Sequence, residues 1–401
     1  MPRSNILFAL LFIVLLGLSE APGRRSLYAF ASSSSDGICK SMIETQGYPC
    51  QEHKVTTEDG YILSMQRIVV GQSGSKGDKP PVLLQHGVLA DAITWVLAPY
   101  NKSLPFILAD NGYDVWLGNT RGTKYSNGHT SLSTSDKAYW EWSWDELSSY
   151  DLHALVQYVY NHTGQKLYYA GHSQGTLIAL AAFSQKNLLN MIRSAALFAP
   201  IAHLNNIPSP AIQLAARSLL ATALYWLKLG EFIPKSQEVR QLIGTICNSS
   251  GTNCSDLVKL FTGPSCCISF TTIDTLLLHE PQPTATKNLI HFSQVVSTRK
   301  IAKYDYGNPI QNMQHYGQLN PPQYNMASIP KDFPLFLCYG KNDILADVKD
   351  VEFLINNDLK DHDKGKLEVV YSEEYGHLDF IMASNAKEVV YEPVLDFFKR
   401  T

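Results

Sequence analysis

The chain carries few charges for its size, no basic run and no cofactor-binding signature. Charged residues fill 17% of the 401 positions, and the formal net charge is -3. Without a Lys/Arg run to track a phosphate backbone, nucleic acid is not expected as a partner. No G-x-x-x-x-G-K-S/T loop occurs and no G-x-G-x-x-G opens a helix, so no nucleotide cofactor is expected. The cysteines lack a paired C-x-x-C knuckle, and no metal is expected either. Long apolar runs are missing too, apart from Ile6 to Leu16. That run is shorter than the roughly 20 residues a membrane span needs. Arg3 precedes it and small residues follow at Gly17, Ser19 and Ala21, so residues 1–21 read as a signal peptide. Cleavage after Ser19, after Ala21 or at Ala29-Phe30-Ala31 would fit. The mature chain is expected to lack a transmembrane segment and to be secreted or delivered to a vacuole or lysosome.

Other features suit that route. N-x-S/T sequons occur at Asn101, Asn161, Asn248 and Asn253. Seven cysteines agree with an oxidising compartment, and the odd number leaves at least one unpaired. Cys39 with Cys50 and Cys247 with Cys254 are the close pairs outside the presumed core. Cys338 lies in an apolar strand and reads as the free thiol, while Cys266 and Cys267 have no assigned partners.

Hydrophobic residues make up 45% of the chain, enough for one large core with an inserted subdomain. Glu52 to Thr56 and Tyr61 to Arg67 alternate in polarity around Glu58-Asp59-Gly60, which predicts a hairpin. Short apolar strands then alternate with helical stretches. The strands are Pro81 to Gln85, Tyr113 to Leu117, Lys166 to Ala170, Ala195 to Ala199, Pro334 to Tyr339 and Leu367 to Tyr371. Such alternation implies a mostly parallel sheet with helices on both faces. The rhythm stops from about Ile201 to Pro330, where the apolar segment Ala211 to Leu229 reads as a helix. Residues 38–200 and 331–401 are thus read as two parts of an α/β core, and 201–330 as a helical cap.

Gly171-His172-Ser173-Gln174-Gly175 fits G-x-S-x-G. It stands between the strand Leu167 to Ala170 and the helical run Thr176 to Phe183, the strand–turn–helix setting of a nucleophile elbow. A serine needs a base to attack a carbonyl. In that arrangement the acid and then the histidine follow the serine. Asp343 leaves the strand Pro334 to Tyr339 and is the candidate acid. Its rivals Asp347 and Asp350 read better as a helix cap and a surface position. Beyond Asp343 only His362, in a polar loop, and His377, after the last strand, remain. His377 is the candidate base. The oxyanion donors are expected to be the N–H groups of Gln174 and Val88, with Leu89 the alternative to Val88. His86 is read as an orienting group beneath that loop.

These motifs are similar to those of a known family. Gly47-Tyr48-Pro49, Thr57 with Asp59-Gly60-Tyr61, Leu84 to Leu89, Asp114 to Asn119 with Arg121-Gly122, and Gly171 to Gly175 together resemble the acid lipases of the gastric and lysosomal type. The plant triacylglycerol lipases are nearest in pattern, and the likeness runs from about Ile38 to the end. It implies an α/β-hydrolase fold with a cap and lid, and hydrolysis of triacylglycerols or sterol esters at an oil or membrane interface. It carries the nucleophile onto Ser173, the acid onto Asp343 and the base onto His377, and it puts a cap disulfide near Cys247 and Cys254. Val88 departs from the leucine of the animal enzymes, a mild change where the donor is backbone. Cys266 and Cys267 are a larger departure. Smaller non-lipid esters, or a silent hydrolase fold used for binding, are the competing readings. Nothing in the sequence bears on oligomeric state.

Overall fold

A computed structural model of the chain describes residues 36–72, 74, 79–207, 230–232, 258–259 and 261–401. The segment 1–21 read as a signal peptide, the run 211–229, Cys247, Cys254, Asn248 and Asn253 lie outside the described residues.

Eight strands form the main sheet: β1 (Cys50–Thr56), β2 (Tyr61–Ile68), β3 (Pro81–Gln85), β4 (Asp114–Gly118), β5 (Leu167–His172), β6 (Ile192–Phe198), β7 (Leu335–Gly340) and β8 (Leu367–Ser372). Their order is β1-β2-β4-β3-β5-β6-β7-β8, and a short strand, Gly128–His129, adds to β2. β1 and β2 form the expected antiparallel hairpin, with Thr56 opposite Ile62. From β4 to β8 every pairing is parallel. All side chains of β3, β4, β5 and β7 are buried, as strands covered on both faces require. The covering helices include α1 (Leu104–Asp110), α2 (Leu152–Thr163) and α3 (Gln174–Ser184). All eleven residues of α3 are buried. A helix that is apolar all round belongs in the interior, and α3 lies in it.

Among the described residues between β6 and β7, none adds a strand to the main sheet. The described part of this insertion holds α4 (Phe270–His279), α5 (Thr286–Thr298) and α6 (Pro309–Tyr316). It also holds a separate antiparallel pair, Glu231–Phe232 with Thr284–Ala285. β7 leads to α7 (Val348–Phe353), and the chain closes on α8 (Glu392–Arg400).

Two disulfides are described. Cys39 joins Cys50 across the entry to β1, as the spacing suggested. Cys266 joins its neighbour Cys267, a pairing that the sequence left open. Cys338 is a buried free thiol in the middle of β7. Asn101 and Asn161 are both exposed.

Candidate active site

The sheet brings the ends of β3, β5, β7 and β8 to one edge, and the four loops leaving them build the site. β5 ends in Ser173, whose φ is 55° and ψ is -119°. A serine held at positive φ is strained, and the surroundings must enforce it. They do so by close approach at the flanking glycines. A Cβ at Gly175 would stand 2.5 Å from the Gln85 carbonyl oxygen, and one at Gly171 would stand 2.9 Å from that of Gly175. The Ser173 N–H donates to the Phe198 carbonyl at 3.0 Å, tying the bend to β6. Gln174 begins α3, so its N–H is one of the unpaired donors of a helix N-terminus.

The loops after β7 and β8 are laced together. Lys341 N–H donates to Ser372, and Asn342 N–H to Tyr375, at 2.9 and 3.0 Å. This lacing delivers Asp343 to His377. His377 Nδ1 stands 2.8 Å from Asp343 Oδ2 and 3.0 Å from Oδ1, with both residues buried. Asp343 Oδ1 also accepts the N–H groups of Leu345 and Ala346, each at 2.8 Å, so the carboxylate cannot rotate away. The rivals stand elsewhere. Asp347 caps α7 through the Lys349 N–H. Asp350 is a correction: it is buried, not on the surface, because it binds Asn206 through both carboxylate oxygens. His362 is half-buried and engages the Phe333 carbonyl at 2.7 Å, so it is no freely solvated loop residue.

His172, the variable residue of the elbow before Ser173, joins the two halves. Its Nε2 donates to the His377 carbonyl at 2.8 Å, and the two rings are 4.8 Å apart. Burial, with His377 nearby, holds the His172 imidazole well below the usual histidine range, so it stays neutral and fixed. The His377 N–H meets the Thr262 carbonyl at 3.1 Å. Asp379 accepts the Gly376 N–H at 2.7 Å and the Ser265 hydroxyl at 2.6 Å. Among the described residues Ser173 Oγ makes no hydrogen bond to His377; such bonds often close only when substrate is seated.

The loop after β3 lies over the serine. A Cβ at Gly87 would stand 3.4 Å from Ser173 Oγ. His86 Nε2 accepts the Thr120 N–H at 3.1 Å, so its proton sits on Nδ1, which donates to the Gly87 carbonyl at 2.8 Å. Burial lowers this imidazole to about 4, keeping it neutral. A trans peptide points its C=O and N–H to opposite sides. Pinning the Gly87 carbonyl on the His86 side therefore turns the Val88 N–H away from it. From the insertion, Asn288 of α5 accepts from the Gln174 side-chain amide at 3.2 Å, and the Gln282 N–H donates to the Leu89 carbonyl at 2.8 Å. Asn288, Gln282 and Asp379 carried no sequence signal as site neighbours, whereas His172 was visible inside the motif.

A family model described as a partial alpha/beta-hydrolase lipase region matches residues 39–99, and one for the alpha/beta hydrolase fold matches residues 80–228. Triacylglycerol lipase 2 of Arabidopsis thaliana is 49% identical over 372 residues, 92% of this chain and 89% of that protein. The chain belongs to the acid lipase family of α/β-hydrolases. A second relative of this acid lipase is the lysosomal acid lipase/cholesteryl ester hydrolase of Macaca fascicularis, 37% identical over 90% of each chain. Among solved structures, a soluble variant of the monoglyceride lipase of Saccharomyces cerevisiae shares the fold. Its TM-score is 0.53 at 15% identity, covering 92% of this acid lipase and 99% of that chain.

Proposed function

We propose that this acid lipase hydrolyses lipid carboxylic esters through an acyl-enzyme on Ser173. The observation that carries the reading is the closed Asp343–His377 pair, joined through His172 to the strained serine at the end of β5. His377, its Nδ1 proton held by Asp343, takes the Ser173 hydroxyl proton at Nε2 as Oγ attacks the ester carbonyl. The same proton passes to the leaving alcohol. Water then repeats the sequence to release the fatty acid. The Val88 and Gln174 N–H groups stabilise the oxyanion in both halves. No step asks for a metal or an organic cofactor.

A lipid substrate accords with the insertion's surface. Phe261, Phe270, Leu278, Ile310, Met313 and Leu319 are exposed there, and apolar surface of this kind suits contact with an oil or membrane interface. Residues 201–330 act as a cap over the site. The protein belongs to the secretory route, ending outside the cell or in a vacuole or lysosome, in keeping with the name of its lysosomal relative. No described helix is long and apolar enough to cross a membrane.

Labelling with a fluorophosphonate tests the nucleophile. The wild type should react and Ser173→Ala should not; labelling that persists in the variant overturns the assignment. A panel from acetyl to long-chain triacylglycerol esters tests the substrate. A rate that jumps when an oil phase forms is expected, and a preference for dissolved short esters with no such jump would reject the lipid reading.

A further inference from the structure

A second pair of acids adjoins the loop that carries Val88. Asp91 is fully buried, and its Oδ1 accepts the Ile93 N–H at 2.7 Å. Its own N–H donates to Glu280 Oε1 at 3.1 Å, across 189 residues of sequence. Glu280 caps the end of α4. The remaining oxygens, Asp91 Oδ2 and Glu280 Oε2, are both sealed from solvent without a hydrogen bond, and the Gln282 side-chain amide is the donor nearest the Glu280 carboxylate. Around them the insertion grips the loop. The Gln282 N–H bonds the Leu89 carbonyl at 2.8 Å, and Gln282 Oε1 accepts the Lys124 N–H at 3.0 Å.

Two sealed carboxylate oxygens cannot both stay charged and unpaired, since each would bear the full cost of burial. One proton resolves both: it turns one orphan acceptor into a donor to the other, giving a strong charge-assisted O–H···O bond. We propose that Asp91 and Glu280 hold one proton between them, and that this protonated pair is the clasp with which the insertion positions the oxyanion loop. The inference rests on the reading of Val88 as an oxyanion donor. Both acids are positioning residues, since neither touches substrate.

The charged groups facing the pair are few. Lys124, whose ammonium lies 4.9 Å from the Tyr125 ring, pulls on Asp91, and His279 precedes Glu280. Burial nevertheless pushes Asp91 up to about 7 and raises Glu280 well above its ordinary range, with the neighbouring Asp91 charge adding to the effect. The folded-state values are raised, so the stabilising contribution is whole below the ordinary carboxylate range near 4 and is lost as pH rises through about 7. Above that, two negative charges face each other, Glu280 is driven outward and the hold on Leu89 slackens.

The test compares kcat/KM against pH, on a dissolved ester, for the wild type, Glu280→Gln and Glu280→Ala. Thermal melting against pH in a Ser173→Ala background runs beside it. A glutamine amide donates without titrating. Glu280→Gln should therefore carry the alkaline limb upward by about a pH unit or more, while Glu280→Ala should lower kcat/KM about tenfold below about pH 7, a deficit that narrows above it as the wild type loses the clasp. Melting of Ser173→Ala should fall between pH 4 and 7, and adding Glu280→Gln should flatten it. Should Glu280→Gln fail to fold, Asp91→Asn places the same kind of donor from the other side. An unmoved alkaline limb overturns the inference, whether or not the melting curve flattens. Persistence of turnover in Ser173→Ala is a different result and strikes only the proposed function.

Discussion

Arg121 and His377 are both buried and both bound to carboxylates, yet they are built to different ends. Arg121 gives Nε and its backbone N–H to Asp151 at 2.7 and 2.8 Å, and its two terminal nitrogens to Asp59 at 2.6 and 2.9 Å. Its guanidinium also lies 3.7 Å from the Tyr61 ring. Each oxygen of both carboxylates accepts at least one of these donors, so the cluster has no open valence. His377 is bound differently: Asp343 occupies Nδ1, while His172 and Thr262 hold the backbone. Nε2 is left without a hydrogen bond among the described residues. Burial alone therefore does not mark a functional charge. The distinguishing property is a held group with one ring atom left without a hydrogen bond among the described residues, on the sheet edge that also carries the strained Ser173.

Substitution can break this contrast at either end. The largest effect is expected at the open cluster: His377→Ala should lower kcat/KM by about 10⁴- to 10⁶-fold while the circular-dichroism melt stays cooperative. Loss of the fold along with activity would mean that His377 is a second Arg121. At the closed cluster, Arg121→Met strands Asp151 in the core and should cost about 3–5 kcal/mol in urea unfolding. Under conditions where that variant is folded, kcat should remain near wild type; a collapse of kcat would erase the distinction. A covalent tie sets a scale between them. Replacing Cys39 and Cys50 together by serine should cost about 2–3 kcal/mol by the same titration, with turnover per folded molecule unchanged. The smallest effect is expected at Asn288→Ala, where one hydrogen bond to the Gln174 side chain is lost. About a tenfold drop in kcat with KM nearly constant would place Asn288 in support of the oxyanion donor, and an unchanged kcat would make it mere packing.

Much of the fold was readable because its signals are local. The hairpin at Glu58-Asp59-Gly60, the six later strands and the helix after Ser173 follow from alternation, apolar runs and glycine placement within a few residues. β3 keeps its expected bounds and the others shift by up to three residues, as at β6, which begins at Ile192, three residues before the expected Ala195. The triad candidates were readable for a related reason. Each stands just after a strand, and all strands of a parallel sheet end on one edge. His362 was misjudged because its polar flanks suggested solvent, and Asp350 because a charged residue on a helix reads as a surface position. Their actual partners, Asn206 and Phe333, are 144 and 29 residues away.

By itself the sequence determined which residues could be strand, bend and helix, and hence that a serine, an acid and a histidine would emerge at a common edge. Only the tertiary structure decided who supports them. His172 reaches His377 across 205 residues, and Gln174 reaches Asn288 across 114. Such pairs obey no periodicity, because a buried polar atom takes whatever donor the packed chain delivers to it. For His172 that choice exists only once the loop after β8 has met the elbow, and for Gln174 only once the insertion has settled against the sheet.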